Sequence, residues 1–336
     1  MSDNQRQIEL IKWLQHSQLF LGQQLTMVSG DASFRRYFRF SQNGQSFIAV
    51  DAPPPQENCQ AFVAFSKAYR QQKICVPEVL AVDLQQGFMC LEDFGDQQFS
   101  QKIQLNNPEL YYQQALALLP GIQGLTHTSL GPIANYDQSR LDLEASLFSQ
   151  WLVNTHLNLT LSKKQIAMLN NVENMLAKNF LTQPQVAVHR DFHSRNLMIL
   201  DNHQIGVIDF QDTLMGPITY DLVSLLRDCY VRWPNAWVIE QLQIVWSNNY
   251  KQYSWPEFKR WFDWTGIQRH LKAAGIFARL YHRDNKAVYM QDIPRTLGYV
   301  IDVAAEYPEL LELSQWLKAS VLPAVESSLP IQGLRP

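Results

Sequence analysis

The stretch that decides the fold of this 336-residue chain lies in its second half. Residues 189–196 read His189-Arg190-Asp191-Phe192-His193-Ser194-Arg195-Asn196. The apolar run 186–188 precedes this stretch and the run 197–200 follows it, and both are typical of short buried strands. Asp209 comes thirteen residues after Asn196, at the end of a further apolar run, 205–208. The pattern predicts a polar loop between strands, with a second carboxylate at the end of the next strand.

This spacing suits phosphoryl transfer from Mg·ATP. Protein kinases carry a catalytic Asp and a metal-binding Asn in the pattern H-R-D-x-x-x-x-N, and the chain matches every fixed position of it from His189 to Asn196. Asp191 is therefore predicted to be the base for the acceptor hydroxyl. Asn196 and Asp209 are predicted to be the oxygen ligands of Mg²⁺. Gln211 replaces the Gly of the protein-kinase D-F-G motif and no A-P-E segment follows, which argues against a protein kinase.

A metal hydrolase is the main alternative that these residues leave open. His189, Asp191 and His193 alternate along the chain, as ligands of a zinc ion can. A zinc site needs further ligands, and no other His, Cys or carboxylate of the sequence has a metal-ligand spacing to them. The pattern therefore favours a kinase.

Length and composition limit the class of protein. A chain of 336 residues with 46% hydrophobic residues fits two lobes better than one core. The net charge of −3 gives no basic surface, so nucleic acid is not an expected partner. The polar N-terminal stretch does not have the pattern of a signal peptide, and no apolar run approaches the roughly 20 residues of a membrane span. We therefore expect a cytoplasmic protein with no membrane partner.

The four cysteines are scattered and form no C-x-x-C pair. They are predicted to be buried thiols in a reducing compartment.

The chain changes character near residue 93. Before it, an amphipathic helix over residues 8–20 precedes a segment in which strands are predicted over 34–40, 47–50, 79–82 and 88–91. Asn43-Gly44 is a strong signal for a hairpin turn. After it, apolar residues recur at helical spacing. The predicted fold class is α+β, a protein-kinase-like fold of two lobes: a small β-rich, nucleotide-binding N-lobe (1–93) and a larger, mainly helical C-lobe (94–336) with the catalytic loop, the metal site and the acceptor site.

On these residues the chain resembles the aminoglycoside phosphotransferase/choline kinase superfamily over nearly its whole length. The segments that carry the resemblance are His189-Arg190-Asp191, Asn196, Ile208-Asp209-Phe210 and Gly216-Pro217-Ile218-Thr219-Tyr220-Asp221. Within the superfamily it is similar to the bacterial anomeric N-acetylmuramate/N-acetylglucosamine kinases of peptidoglycan recycling. The segments that point there are 30–39, 51–58, 195–198 and 268–272.

The resemblance implies an activity and its partners. We expect ATP-dependent phosphorylation of the anomeric C1 hydroxyl of an amino sugar, with ATP as co-substrate and Mg²⁺ as cofactor. The alternatives are another small-molecule kinase, acting on an aminoglycoside, choline or homoserine, and a non-catalytic binding protein with a kinase fold. Protein partners are not predicted.

The nucleotide site departs from the kinase pattern in two ways. There is no G-x-G-x-x-G loop, so the amides that follow Gly30 are expected to cradle phosphate. The third-strand Lys is also missing, because Asp51 follows Ile48-Ala49-Val50. We hypothesise that Arg35, Arg36 or Arg39 supplies the positive charge. The predicted ATP-binding residues are Gly30, Asp31, Ala32, Ser33, Phe34, Arg35, Arg36 and Glu92.

The remaining site residues are implied by the resemblance and by their position. The predicted acceptor contacts are Glu144, His193, Arg195, Gln211 and Asp212. Arg195 would meet a lactyl carboxylate, and Glu144 is expected at the start of a helix that faces the acceptor in this superfamily. His189, Arg190 and Asp221 are expected to support the catalytic loop, with a helix cap as the alternative role of Asp221.

Overall fold

The chain forms two compact units in the computed structural model, which describes residues 3–19, 24–30, 34–54, 56–104 and 108–329. The first unit is Met1–Ile133 with Arg195–Thr213, and the second is Ala134–Ser194 with Leu214–Pro336. The predicted fold class is confirmed, since the first unit holds a small antiparallel sheet and the second is larger and mainly helical. The units differ in their bounds from the predicted lobes, because the segment 195–213 bonds to earlier residues: Val207 N–H donates to the Cys75 carbonyl at 2.8 Å.

The first unit is built on a five-stranded sheet in the order β1-β2-β3-β5-β4, with every neighbouring pair antiparallel. These strands are β1 Thr26–Gly30, β2 Arg36–Gln42, β3 Gln45–Asp51, β4 Val79–Asp83 and β5 Phe88–Glu92. The hairpins β6 His127–Thr128 with β7 Gly131–Pro132, and β9 Leu197–Ile199 with β10 Ile205–Val207, belong to the same unit. Its helices are α1 Asp3–His16, α2 Cys59–Gln71, α3 Phe99–Lys102, α4 Pro108–Leu116 and α5 Leu119–Gln123.

One face of the sheet packs in a hydrophobic core and the other lines a pocket. Successive side chains of a strand point to opposite faces, so β2 directs Phe38 and Phe40 to one side and Tyr37 and Arg39 to the other. The two phenylalanines pack in a core with Leu10 of α1. The tyrosine and the arginine line a pocket instead. The Asn43-Gly44 turn has the positive φ angles, 54° and 78°, that a tight hairpin needs.

Asp51 at the end of β3 is fully buried and binds two arginines. Arg6 Nε donates to Oδ1 at 2.8 Å, and Arg36 Nη2 donates to Oδ2 at 2.5 Å. Asp51, at the position of the kinase Lys, is therefore part of a buried ion cluster. It does not line the pocket that Tyr37 and Arg39 line.

We expect Asp51→Asn to destabilise the protein. Removing one partner of a buried ion pair costs about 3 kcal/mol or more, because the remaining charges lose their compensation. Differential scanning fluorimetry should show a melting temperature several degrees lower. Asp201→Asn, at an exposed aspartate, is the matched control and should melt like the unmodified protein. Equal melting of the two variants would contradict the structural role of the cluster.

The second unit contains a short antiparallel pair and a helical core. The strands are β8 Gln185–Val188 and β11 Leu214–Pro217. The helices are α6 Gln138–Leu147, α7 Lys163–Thr182, α8 Tyr220–Leu226, α9 Asn235–Asn249, α10 Trp255–Asp284, α11 Ile293–Ala304, α12 Leu311–Trp316 and α13 Leu322–Ser328. Single turns or short stretches of π-helix and 3₁₀-helix join some of them, at Phe148–His156, Ala287–Asp292, Pro308–Leu310 and Leu317–Val321. The long helix α10 runs through this core and presents eighteen buried residues.

Two further expectations concern the cysteines and the membrane. All four cysteines are free thiols; three are buried and Cys75 is half-buried. Burial raises the pKa of Cys90 to about 12, so this thiol is not a nucleophile at neutral pH. None of the helices in the described ranges is long and apolar enough to cross a membrane. The cytoplasmic location stays a prediction.

Candidate active site

The first unit contains a pocket of about 450 Å³ under the second face of its sheet. Ile48 of β3, Leu91 of β5 and Met198 of β9 give the pocket apolar walls. Asn196 and Asp209 lie among its polar lining residues. A pocket with apolar walls and a few convergent polar groups is the usual form of a small-molecule site.

The hairpin of β9 and β10 brings Asn196 and Asp209 together. The register pairs Val207 with Leu197, so the residues just outside the hairpin face one another. Ile208 N–H donates to the Asn196 carbonyl at 3.0 Å, and Asn196 Nδ2 donates to Asp209 Oδ2 at 3.4 Å. Two side chains that carry oxygen atoms thus meet in the lining of the pocket, although they are thirteen positions apart in the sequence.

Asp209 has an unusual backbone conformation and a second partner. Its φ angle is +65°, in the left-handed region that few residues other than glycine adopt. Gln211 Nε2 donates to its Oδ1 at 2.5 Å. Such backbone outliers concentrate at functional sites, because the surrounding structure must hold them in place.

The predicted nucleotide-loop residues are described only in part. Asp31, Ala32 and Ser33 lie outside the described residues. Gly30 ends β1, and Glu92 ends β5 and lines the pocket. Phe34 N–H donates to Glu57 Oε1 at 3.0 Å.

The three candidate arginines have different partners. Arg36 is bound to Asp51. Arg39 is held by two carboxylates, Asp93 at 2.6 Å and Asp96 at 2.7 Å. Arg35 is buried, its Nη2 lies 2.9 Å from Glu57 Oε2, and it is within electrostatic range of Asp209.

The predicted catalytic loop, which begins at His189 in the second unit, is held through its backbone. Asp221, in the first turn of α8, accepts bonds from the amides of His189 at 2.7 Å and Arg190 at 3.0 Å. Asp228 accepts a bond from the Ser194 amide at 2.9 Å. Burial raises the pKa of Asp221 to about 7, although the two amide bonds favour its charged form. The contacts are those of a loop anchor, whereas Thr219 occupies the cap position of the helix.

Glu144 is the centre of a buried polar cluster in the second unit. Arg190 Nη2 donates to it at 3.0 Å, Lys272 Nζ lies 3.4 Å away, and the Tyr136 hydroxyl also donates to it. Burial raises the pKa of Glu144, but the cations Lys272 and Arg190 outweigh burial and keep it below its usual value. Glu144 lies towards the end of α6 and not at the start of a helix as predicted.

Asp191 is the predicted base, and its carboxylate is surrounded by positive charge. Burial disfavours its charged form, but nearby side chains outweigh burial and lower the pKa of Asp191 to about 2. Those side chains are His193, Lys272, Arg269 and Arg190. Asp191 is therefore ionised throughout the pH range in which kinases work.

The predicted acceptor contacts are divided between the two units. Glu144 and His193 belong to the second, and the ring of His193 packs edge-on against Tyr230 with centroids 5.1 Å apart. Arg195, Gln211 and Asp212 belong to the first. Gln211 is buried and bonded to Asp209, whereas Asp212 is exposed.

Three residues near the site, Arg269, Lys272 and Asp228, had no role predicted from the sequence. Lys272 Nζ donates to the Tyr220 hydroxyl at 2.7 Å, inside the polar cluster of Glu144. Arg269 and Lys272 stand in the middle of α10 and are buried. The signal available in the sequence is the pair of cations, Arg269 and Lys272, three residues apart in the helical C-terminal region.

Comparisons with known proteins identify the family of the chain. The model of the phosphotransferase enzyme family matches residues 24–257. A protein of Pseudomonas putida named N-acetylmuramate/N-acetylglucosamine kinase is 41% identical over 87% of this chain and 86% of its own length. A protein of the same name from Neisseria meningitidis is 39% identical over 92% of this chain and 94% of its own length.

Solved structures share the fold at low sequence identity. A choline/ethanolamine kinase family protein from Mesorhizobium loti has a TM-score of 0.62 at 15% identity, over 96% of this chain and 99% of that one. A choline kinase from Streptococcus pneumoniae has a TM-score of 0.61 at 12% identity, over 89% of this chain and 99% of that one. The resemblance drawn from the sequence is thus confirmed, and the chain belongs to the phosphotransferase enzyme family.

Proposed function

We propose that this protein transfers the γ-phosphoryl group of ATP to the anomeric hydroxyl of N-acetylmuramate or N-acetylglucosamine. The observation that carries the proposal is the identity of 37–41% to three proteins named as kinases of these sugars, over most of each chain. The charged Asp191 and the paired Asn196 and Asp209 supply the chemistry that such a transfer needs.

Asp191 is proposed to orient the acceptor hydroxyl and to receive its proton. With a pKa of about 2 it is a weak base, so it cannot remove the proton before the phosphoryl group leaves ATP. The transition state of phosphoryl transfer is loose, which means that the new O–P bond is only slightly formed in it. The attacking oxygen therefore needs little activation. Asp191 therefore accepts a hydrogen bond first and takes the proton as the new O–P bond forms.

Asn196 and Asp209 are proposed to hold Mg²⁺. A carboxylate and an amide oxygen, completed by phosphate oxygens and water, suit this cation. Within the described ranges no group of three or more His, Cys, Asp or Glu side chains could hold a metal ion. When bound, the cation would neutralise negative charge on the phosphates.

The adenine ring of ATP is proposed to lie in the apolar pocket of the first unit. Strand β5 has neighbours on both sides, so its ladders occupy the backbone groups of Met89–Leu91. The pocket residues Asp93, Phe94 and Gly95 follow the end of this strand. We expect the edge of adenine to pair with backbone there.

Arg35 is proposed to replace the third-strand Lys. In protein kinases that Lys pairs with a Glu of a helix, and here Arg35 pairs with Glu57 just before α2. Arg36 and Arg39 are bound to other carboxylates, which leaves Arg35 as the arginine with an electrostatic link to Asp209.

We expect Arg35→Ala to raise the KM for ATP by about 10-fold or more, since a hydrogen bond to a charged group contributes about 1.5–3 kcal/mol. The KM for the sugar should change little. Arg283→Ala, which removes an arginine whose ion pair with Asp284 is exposed, is the control. An unchanged KM for ATP in the Arg35 variant would exclude the assignment.

An aminoglycoside kinase is the second candidate, because such enzymes share the fold. Aminoglycosides are polycations and require an acidic site. The cations Arg190, Arg269 and Lys272 lie near Asp191 here, and Arg269 and Lys272 are buried. This arrangement favours a neutral or anionic acceptor.

The proposal is tested by ADP release with a panel of acceptors at saturating Mg·ATP. N-acetylmuramate and N-acetylglucosamine should be turned over, and choline, homoserine and kanamycin should not. Turnover of kanamycin or choline in preference to both sugars would reject the proposal.

A further inference from the structure

Arg269 is a buried cation whose donors the protein satisfies only in part. It lies in the middle of α10 and is only 4% exposed. Its Nη1 donates to the Sγ atom of Cys229 at 3.6 Å, and a thiol is a weak acceptor. Its Nε is buried without a hydrogen-bond partner among the described residues.

The carboxylates near Arg269 do not neutralise it by direct contact. Asp191 and Asp228 are within electrostatic range, yet Arg269 forms no ion pair with any carboxylate in the part of the chain that the structure describes. Asp228 instead accepts bonds from two backbone amides, those of Ser194 and Tyr230.

The neighbouring cations differ from Arg269 in this respect. Lys272, three residues further along α10, donates to the Tyr220 hydroxyl and lies beside Glu144. Arg190 also donates to Glu144. Among Arg190, Lys272 and Arg269, Arg269 is thus the one that donates no hydrogen bond to an oxygen atom of the described residues.

A buried guanidinium whose Nε–H has no hydrogen-bond partner is stabilised when an anion binds beside it. Its planar fork matches a carboxylate, which can accept two parallel bonds. N-acetylmuramate carries a carboxylate on its lactyl group, and N-acetylglucosamine lacks that group. We propose that Arg269 binds the lactyl carboxylate and sets the preference between the two sugars. This inference rests on the proposed function.

The test compares three acceptors: N-acetylmuramate, its uncharged lactyl carboxamide, and N-acetylglucosamine. For the unmodified protein, kcat/KM should be about 10- to 100-fold lower for the carboxamide than for the acid, as expected for a lost charged hydrogen bond. Arg269→Gln should lose this factor on the acid in addition to any loss on N-acetylglucosamine, and it should no longer distinguish acid from carboxamide. Arg269→Lys should recover part of the preference. Arg279→Gln, in the same helix, is the matched control.

Three results would overturn the inference. The first is an equal kcat/KM of the unmodified protein for the acid and for the carboxamide. This result does not depend on whether a variant folds. The second is an equal loss on all three acceptors in Arg269→Gln with an unchanged melting temperature, which would place Arg269 in support of Asp191 or of the phosphoryl group. The third is turnover of none of the sugars, which would remove the proposed function as well, whereas the first two leave that function intact.

Discussion

Asp191→Asn is expected to lower kcat by about 10²–10⁴-fold, the usual loss when a general base is removed. The amide keeps the size of the side chain but cannot take the proton of the acceptor. The KM for ATP should stay close to that of the unmodified protein, because the proposed nucleotide pocket is formed by residues of the first unit. Steady-state kinetics at saturating sugar, with ATP varied, measures both quantities.

The control for Asp191→Asn separates catalysis from folding. Asp201→Asn makes the same chemical change at an exposed position and should retain full kcat. A non-hydrolysable ATP analogue with Mg²⁺ should raise the melting temperature of Asp191→Asn as it does for the unmodified protein. Near-normal kcat in Asp191→Asn would refute its role as the base.

Asp209→Asn is expected to abolish turnover at millimolar Mg²⁺. The carboxylate is the only charged group of the proposed metal pair, so its loss weakens the cation and the triphosphate together. Asn is the better probe than Ala here, because Asn tolerates the left-handed backbone that Asp209 adopts at φ +65°. Titration of kcat and of the KM for ATP with Mg²⁺ gives the measurement.

The two substitutions should have different signatures. In Asp209→Asn the response to Mg²⁺ and to ATP is lost, whereas in Asp191→Asn both persist and only the rate falls. If Asp209→Asn showed a normal Mg²⁺ dependence, the cation would have to be held elsewhere.

The parts of the fold that sequence could predict are local. The hairpin at Asn43-Gly44 needs two residues with positive φ angles, and Asn and Gly are the residue types that adopt them most readily. The pairing of Asn196 with Asp209 follows from one short hairpin, β9 to β10. Alternation along β2 likewise separated the core residue Phe38 from the pocket residue Tyr37.

The parts that sequence could not predict depend on distant partners. Asp51 stood where a Lys was expected, and nothing nearby revealed that Arg6, forty-five residues away, would bind it. Glu144 meets Lys272 across more than a hundred residues. Helical periodicity identifies which residues of α10 are buried but not which buried charges meet, because burial and pairing are set by the packing of several helices.

The assignment of Arg35 could be predicted only in part from the sequence. The sequence reduced the missing cation to three arginines of one short segment, and the choice among them required their carboxylate partners. Those partners are Glu57, Asp51 and Asp93 with Asp96.

The most direct test of the central claim is the position of the phosphoryl group in the product. The protein should be incubated with Mg·ATP and N-acetylmuramate, and the product analysed by a ³¹P–¹H correlation NMR spectrum. We expect a phosphorus signal that is coupled to the anomeric proton, at C1. A signal coupled to the protons of C6 or C4, or no phosphorylated sugar while choline or kanamycin is phosphorylated, would contradict it.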